Sequence, residues 1–155
     1  MSPGMTACQD GGDPTGPEKG AQMRRTYAAA NALMLLAVLI QFYFAAVGAF
    51  AKPQHDNSFV LHDTTGMMVI PTIALVATVA AALARVSGRL IGLTVLPVVL
   101  VGLQSLIIVV GGGDNDSTTS AGLAVLGLHA LNGVVILWLA AYVLRRSVEL
   151  VKAPR

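Results

Sequence analysis

The chain has 155 residues, 55% of them apolar and only 12% charged, with a formal net charge of +2. That length holds one domain, and the charged fraction is about half that of a soluble one, which excludes a water-soluble globule. The charges are also segregated along the chain, so the small net positive charge reflects topology and gives no footing for nucleic-acid binding.

Residues 1–25 read as a disordered cytoplasmic tail, because up to residue 23 they are rich in Gly, Pro, Asp, Ser and Thr with little to bury. Cys8 lies in this tail without a partner cysteine and with too short an apolar lead for a lipoprotein site, so it reads as a bystander thiol.

Four charge-free apolar runs follow, each long enough to cross a hydrocarbon core about 30 Å thick. Helix 1 is expected over about 26–50, helix 2 over 59–84, helix 3 over 90–111 and helix 4 over 122–144, within a transmembrane domain of 26–144. Residues 145–155 form a second cytoplasmic tail. Ala49-Phe50-Ala51 has the look of a signal-peptidase site and Arg24-Arg25 that of a basic n-region. The run between them exceeds a signal h-region of about 7–15 residues, so helix 1 is expected to be retained. Lys52-Pro53 and Gly111-Gly112-Gly113-Asp114 close the outer ends, and Pro71 and Pro97 are expected to kink helices 2 and 3. Ala28-Ala29-Ala30, Ala80-Ala81-Ala82 and Ala140-Ala141 suit close helix approach in lipid.

Nine of the ten basic residues fall on one side, with Lys52 alone on the other, which puts both termini in the cytoplasm, and the alanine-rich, loop-poor composition suggests a bacterial plasma membrane. Asp56, Asp114 and Asp116 lie in the outer loops, and Asn115-Asp116-Ser117 matches a glycosylation sequon that a bacterial chain would carry by accident.

The chain repeats itself. Gln41 followed by Val47-Gly48 returns as Gln104 followed by Val110-Gly111, and Leu61-His62-Asp63-Thr64-Thr65-Gly66 returns as Leu128-His129-Ala130-Leu131-Asn132-Gly133. The fold class is therefore all-α, a membrane four-helix bundle of two parallel helical-hairpin repeats, with His62 and His129 on the same outer side.

Polar groups in hydrocarbon need partners, so each is a candidate site. Gln41, Gln104, His62, His129 and Asn132 cluster in the outer half. Asn31, Thr78 and Thr94 in the inner half are expected to be satisfied by helix–helix bonds or back-bonds. One reading is a b-type haem between helices 2 and 4, with His62 and His129 on the iron. Gly66 and Gly133, one turn deeper on the same faces, would leave room for the macrocycle. Gln41, Gln104 and Asn132 would make polar contacts to it or fix the imidazole tautomer. Met67 or Met68 could replace one axial ligand, though methionine usually fills space.

Two observations oppose haem. Counted from Arg145 and Arg85, His129 and His62 differ in depth by about 10 Å. No histidines remain for a second haem, so an electron path across the membrane would be incomplete. The competing reading makes His129, Gln104 and Asn132 polar glue between helices. A surface metal site from His55, His62 and Asp63 has too few ligands for a dedicated cage, and His55 reads as a solvated loop residue.

At Gln41–Gly48, Phe59-Val60-Leu61-His62 with Gly66, and Leu128-His129 with Asn132-Gly133, the chain resembles a family of small bacterial four-helix membrane proteins of unknown function. The resemblance covers nearly everything after the first 25 residues and implies the fold and the membrane, with no activity attached. The hairpin with an outer histidine is also similar in architecture to halves of the haem A synthase and cytochrome b561 bundles, which carry more histidines. No nucleophile with its base, phosphate-cradling loop or paired intramembrane carboxylates is present. The expectation is a redox or accessory subunit rather than a stand-alone enzyme. Its partners would be the lipid bilayer and a membrane redox complex or a second copy.

Overall fold

The computed structural model describes residues 16–55, 57–113 and 117–153. Cys8, Asp56, Asp114 and the sequon residues Asn115 and Asp116 lie outside the described residues. The described chain is all-helical. Helix 1 spans Gly16–Phe50, helix 2 Val60–Leu83, helix 3 Gly88–Gly111 and helix 4 Ser120–Lys152. Each is long and apolar enough to cross a bilayer, and leucines, valines and Trp138 point outward around the bundle. This is a multi-pass membrane protein whose apolar surround is lipid.

Helices 1 and 4 overrun the expected bounds. Helix 1 begins at Gly16 rather than near Thr26, and helix 4 continues to Lys152 rather than ending at Leu144. The described part of the expected first tail is therefore helical, and so is most of the last. Pro17 stands at the second helical position, where a missing N–H costs nothing, and Glu18 in the first turn faces the positive end of the helix dipole. At the other end Glu149 accepts from Arg145 Nε at 3.2 Å and from Arg146 Nη1 at 2.6 Å, pairs one turn apart that support an exposed helix. At 1.5 Å per residue helix 1 is about 50 Å long, well beyond the bilayer core.

Neighbours in the ring are helices 1 and 2, 2 and 3, 3 and 4, and 4 and 1, so helix 2 stands diagonally across from helix 4. Helices 2 and 3 join through Ala84–Ser87, where Arg85 takes φ 53°. The half of the bundle near this turn and the chain termini, called here the terminal end, is filled. Tyr27, Ala80, Ala81, Leu90, Leu139 and Val143 form one cluster there. The polar atoms in it are satisfied as expected. Tyr27 Oη meets Thr94 Oγ1 at 2.7 Å, Thr94 Oγ1 bonds Leu90 O at 2.8 Å, and Asn31 Nδ2 donates to Tyr27 O at 2.8 Å. Thr78 Oγ1 donates back to Ala74 O. Buried Ala74, Ala77, Ala80 and Ala81 give helix 2 a small-residue face that lets its neighbours approach.

Pro97 is accommodated inside a continuous helix 3. Helix 2 departs more. Its Thr65–Val69 turn is π-helical, between α-helical Val60–Thr64 and Ile70–Leu83, and Pro71 follows directly. Proline lacks the N–H for an i→i−4 bond and crowds that carbonyl, so widening the preceding turn relieves both. Thr72 Oγ1 donates to the Met68 carbonyl at 2.7 Å within the widened segment.

A candidate site between opposed histidines

Above the filled half the bundle is hollow. Met34, Val38, Ile70, Val101 and Ile136 belong to a buried cluster at mid-height. Val38, Ile70, Val101 and Ile136, one from each helix, form the floor of a cavity of about 520 Å³. That volume lies in the range of small-molecule and cofactor sites. Its walls carry Gln41, His62, Gly66, Gln104, His129 and Gly133, six of the seven residues picked out in the sequence.

The seventh, Asn132, does not line the cavity. It is buried, and its Nδ2 donates to Leu100 O at 2.9 Å, tying helix 4 to helix 3. Thr65 holds the matching place in helix 2 and is also buried. Asn132 therefore plays the interhelical role expected of polar glue.

His62 and His129 come together from diagonal helices. Their ring centroids are 5.9 Å apart with the planes tilted by 50°. The expected depth mismatch of about 10 Å is absent, because the two reference arginines are themselves at unequal depths. Fully buried Ala81 in helix 2 corresponds to fully buried Ser147 in helix 4. Arg145 thus lies above that level and Arg85 below it. With its side chain 80% exposed, Arg145 sits on the surface of a helix that simply continues.

The π turn keeps the two histidine helices in step. Ile70 is eight residues beyond His62, whereas Ile136 is seven beyond His129. The widened Thr65–Val69 turn takes up the extra residue, so both isoleucines reach the floor. Helices 1 and 3 need no such device: Tyr27, Asn31, Val38 and Gln41 match Leu90, Thr94, Val101 and Gln104 at one constant offset. Among these eight, all but the cavity-lining glutamines are buried.

The glycines do something other than leave a vacancy. A Cβ on Gly66 would lie 2.7 Å from Gln41 Nε2. The Gln41 amide is therefore laid over Gly66, and its Nε2 donates to His62 O at 2.9 Å. At Gly133 a Cβ would meet Phe42 Cζ at 3.4 Å and Gln104 Nε2 at 3.7 Å, a looser version of the same pairing. Glutamine and glycine recur together in the sequence because one covers the other.

His62 Nδ1 lies 3.2 Å from Gln41 O. A carbonyl can only accept, so Nδ1 carries the proton and the neutral ring presents Nε2 as its lone pair. His129 has the Gln104 backbone in the corresponding place, but without a hydrogen bond of full geometry at Nδ1. Among the described residues, three buried side-chain atoms lack a hydrogen-bond partner: Gln41 Oε1, Gln104 Oε1 and His129 Nδ1. All three belong to residues of this cavity. Buried polar atoms are rarely left unpaired in native proteins, and their convergence on one hollow points to a ligand there.

The sequence offers Met67 as an alternative axial ligand and Asp63 for a surface metal site, and both line the cavity; Met67 Sδ accepts from Ser105 Oγ at 3.2 Å. Ser105 itself went unnoticed, although it directly follows Gln104. His55 sits in a tight turn, its N–H donating to Ser58 Oγ and its carbonyl accepting from Ser58 N. Among the described residues no group of three or more His, Cys, Asp and Glu could hold a metal, which leaves no support for a site built from His55, His62 and Asp63.

Residues 41–111 match a family of unknown function, DUF6220. The matched stretch runs from Gln41 of the first half to Gly111 of the second, under half of the chain. With four membrane-spanning helices, similarity to DUF6220 agrees with the small four-helix membrane domain that the resemblance implies, and it brings no activity. No curated protein and no solved structure matches the chain.

Proposed function

We propose that the protein is a small membrane haem b protein, holding one haem between His62 and His129 and serving as a redox or accessory subunit. The observation that carries this reading is the 5.9 Å approach of the two imidazoles inside a cavity. Two nitrogens on opposite faces of one iron stand about 4 Å apart, given metal–imidazole bonds of about 2 Å. With both ligating nitrogens turned toward the iron, the ring centroids lie a little under a ring bond length further back on each side, near the observed spacing.

Two protein ligands are too few for a zinc or copper cage, which needs three or four. They suffice where the metal brings its own equatorial nitrogens, as haem iron does. A haem bound there would supply one-electron redox chemistry. The chain's own part is to fix the His62 tautomer through the Gln41 carbonyl, to hold His129 opposite, and to keep the space dry with Val38, Ile70, Val101 and Ile136. With His62 on one side and His129 on the other, a haem held there would carry electrons rather than activate a substrate. A single site in one half of the bundle requires a partner to carry the electron onward.

The basic residues support cytoplasmic termini, the alanine-rich composition a bacterial plasma membrane, and the constant offset between helices 1 and 3 two hairpin repeats.

A second reading has its own observation: the double contact between Gln41 and His62 ties helices 1 and 2 together without any cofactor. It leaves His129 Nδ1 and both glutamine oxygens unexplained. Visible spectra of the detergent-purified protein, oxidised and reduced, separate the two. The haem reading expects a Soret band and a sharp reduced α-band, abolished or strongly weakened by His62→Ala or His129→Ala and untouched by His55→Ala. A protein that stays colourless after expression with haem supplied would leave the histidines as helix glue.

A further inference from the structure

A second concavity, about 390 Å³, opens at the terminal end between the start of helix 3 and the end of helix 4. It is separate from the histidine cavity and does not rest on the haem reading. Arg89, Arg146 and Glu149 supply its charges, with Ser87, Tyr142 and Leu93 beside them. Glu149 is already engaged by Arg145 and Arg146, at 3.2 and 2.6 Å. Its negative charge is therefore offset within helix 4. Arg89 is exposed and has no carboxylate partner among the described residues, so the groove is net cationic.

The helix 3 terminus adds to this. Ser87, which lines the groove, holds the N-cap position without a side-chain cap bond, and its carbonyl takes the Leu90 and Ile91 N–H groups, so the positive end of the helix 3 dipole lies beside Arg89. A guanidinium next to that positive end suits phosphate.

We propose that this groove binds the phosphate of an anionic membrane lipid. Its walls favour a lipid over a free anion. Leu93 lines it, and Tyr142 on its rim stacks on Trp138 at 5.6 Å and 18°. Trp138 is 64% exposed on the lipid-facing surface of helix 4. An acyl chain can lie along that apolar strip while the phosphate reaches Arg89, with Arg146 held beside it by Glu149. The charge-free run of helix 3 begins directly after Arg89, which places Arg89 beside the headgroups.

The test uses the full-length protein in detergent, with bound lipid counted by native mass spectrometry. Phosphatidylglycerol and phosphatidylcholine of matched chains are added in turn, and inorganic phosphate is tried separately by thermal shift. Phosphatidylglycerol should be retained preferentially, and Arg89→Gln should reduce that preference about fivefold, the effect of one basic residue at an anionic surface. Arg25→Gln, an equal charge change at an exposed position of helix 1 outside the groove, should leave it unchanged. If inorganic phosphate stabilises the wild type through Arg89 and the lipids bind alike, the phosphate site stands and its source is soluble. Equal retention of both lipids without any phosphate response overturns the proposal. So does a preference that survives Arg89→Gln.

Discussion

Gln41 and His62 hold each other twice: the Gln41 side-chain amide donates to the His62 carbonyl at 2.9 Å, and His62 Nδ1 donates to the Gln41 carbonyl at 3.2 Å. Each residue uses a side chain on the other's backbone, so the pair fixes helix 1 against helix 2 and the imidazole against rotation. Gln104 and His129 occupy the corresponding positions in the other hairpin, where the Gln104 backbone again faces the imidazole but His129 Nδ1 makes no full hydrogen bond, and Oε1 of both glutamines is unpaired. The first hairpin therefore holds its imidazole more firmly than the second.

This relationship makes Gly66 a partner of Gln41. Gly66→Ala would put a methyl 2.7 Å from Gln41 Nε2, displacing the amide tip and its bond to His62 O. A loss of about 0.6 kcal/mol is expected, the average for an interhelical hydrogen bond in lipid. In a Gln41→Ala background the same change should cost nothing, and alanine's better helix propensity could reverse its sign. Gly133→Ala, whose nearest neighbour would be Phe42 Cζ at 3.4 Å, should be tolerated in both backgrounds. Reversible unfolding in mixed micelles measures the cycle; equal costs for Gly66→Ala in the two backgrounds would mean Gln41 does not depend on that glycine.

Asn132 tests the division between site and scaffold. Its Nδ2 bonds Leu100 O and it does not line the cavity. Asn132→Ala should therefore lower stability by about 0.6 kcal/mol, and by no more than about 1.7 kcal/mol. On the haem reading, haem content per folded molecule should stay as in the unaltered protein. Loss of the absorption bands at unchanged stability would return Asn132 to the cofactor site.

Much of this arrangement is legible in the sequence, because bilayer thickness and the cost of unpaired polar atoms leave few solutions. Charge-free runs locate the spans, and the repeated Gln, His and Gly frame picks out six cavity residues. Three features escape for physical reasons. Glu18, Arg24, Arg145 and Glu149 mark where the membrane ends, but a helix in water need not end there, and helices 1 and 4 continue past them. Depth counted from Arg145 and Arg85 misleads for the same reason. The space beside a glycine has no sequence signature of what fills it, so Gln41 over Gly66 reads as a vacancy until side chains are placed.

Orientation can be checked by labelling. With nine of ten basic residues at the terminal end, that end should face the cytoplasm. A membrane-impermeant thiol reagent should modify a cysteine introduced at Ser117 in intact cells and spare native Cys8. Modification of Cys8 from outside would reverse the assignment and place the histidine cavity on the cytoplasmic side.

The π turn offers the sharpest test of the equivalence between the two histidine helices. His62 needs eight residues to reach the floor at Ile70, and His129 needs seven to reach Ile136. If Thr65–Val69 exists to absorb that one residue, deleting Met68 should convert the segment to continuous α-helix with the isoleucine still on the floor. Met68 is 66% exposed, so its own packing is little missed. Pro71 must be changed to Ala in the same variant, since an α-helical turn before it would restore the clash that the π turn relieves. The doubly altered protein is expected to keep its fold and, on the haem reading, its absorption spectrum. Deleting Val134 from helix 4, also an exposed residue, should fail. Helix 4 has no wide turn to give up, and everything beyond the deletion would rotate by about 100°, one residue of a 3.6-residue turn. Circular dichroism and the haem spectrum report both variants. Equal damage from the two deletions would show that the extra residue in helix 2 is more than an insertion the π turn absorbs.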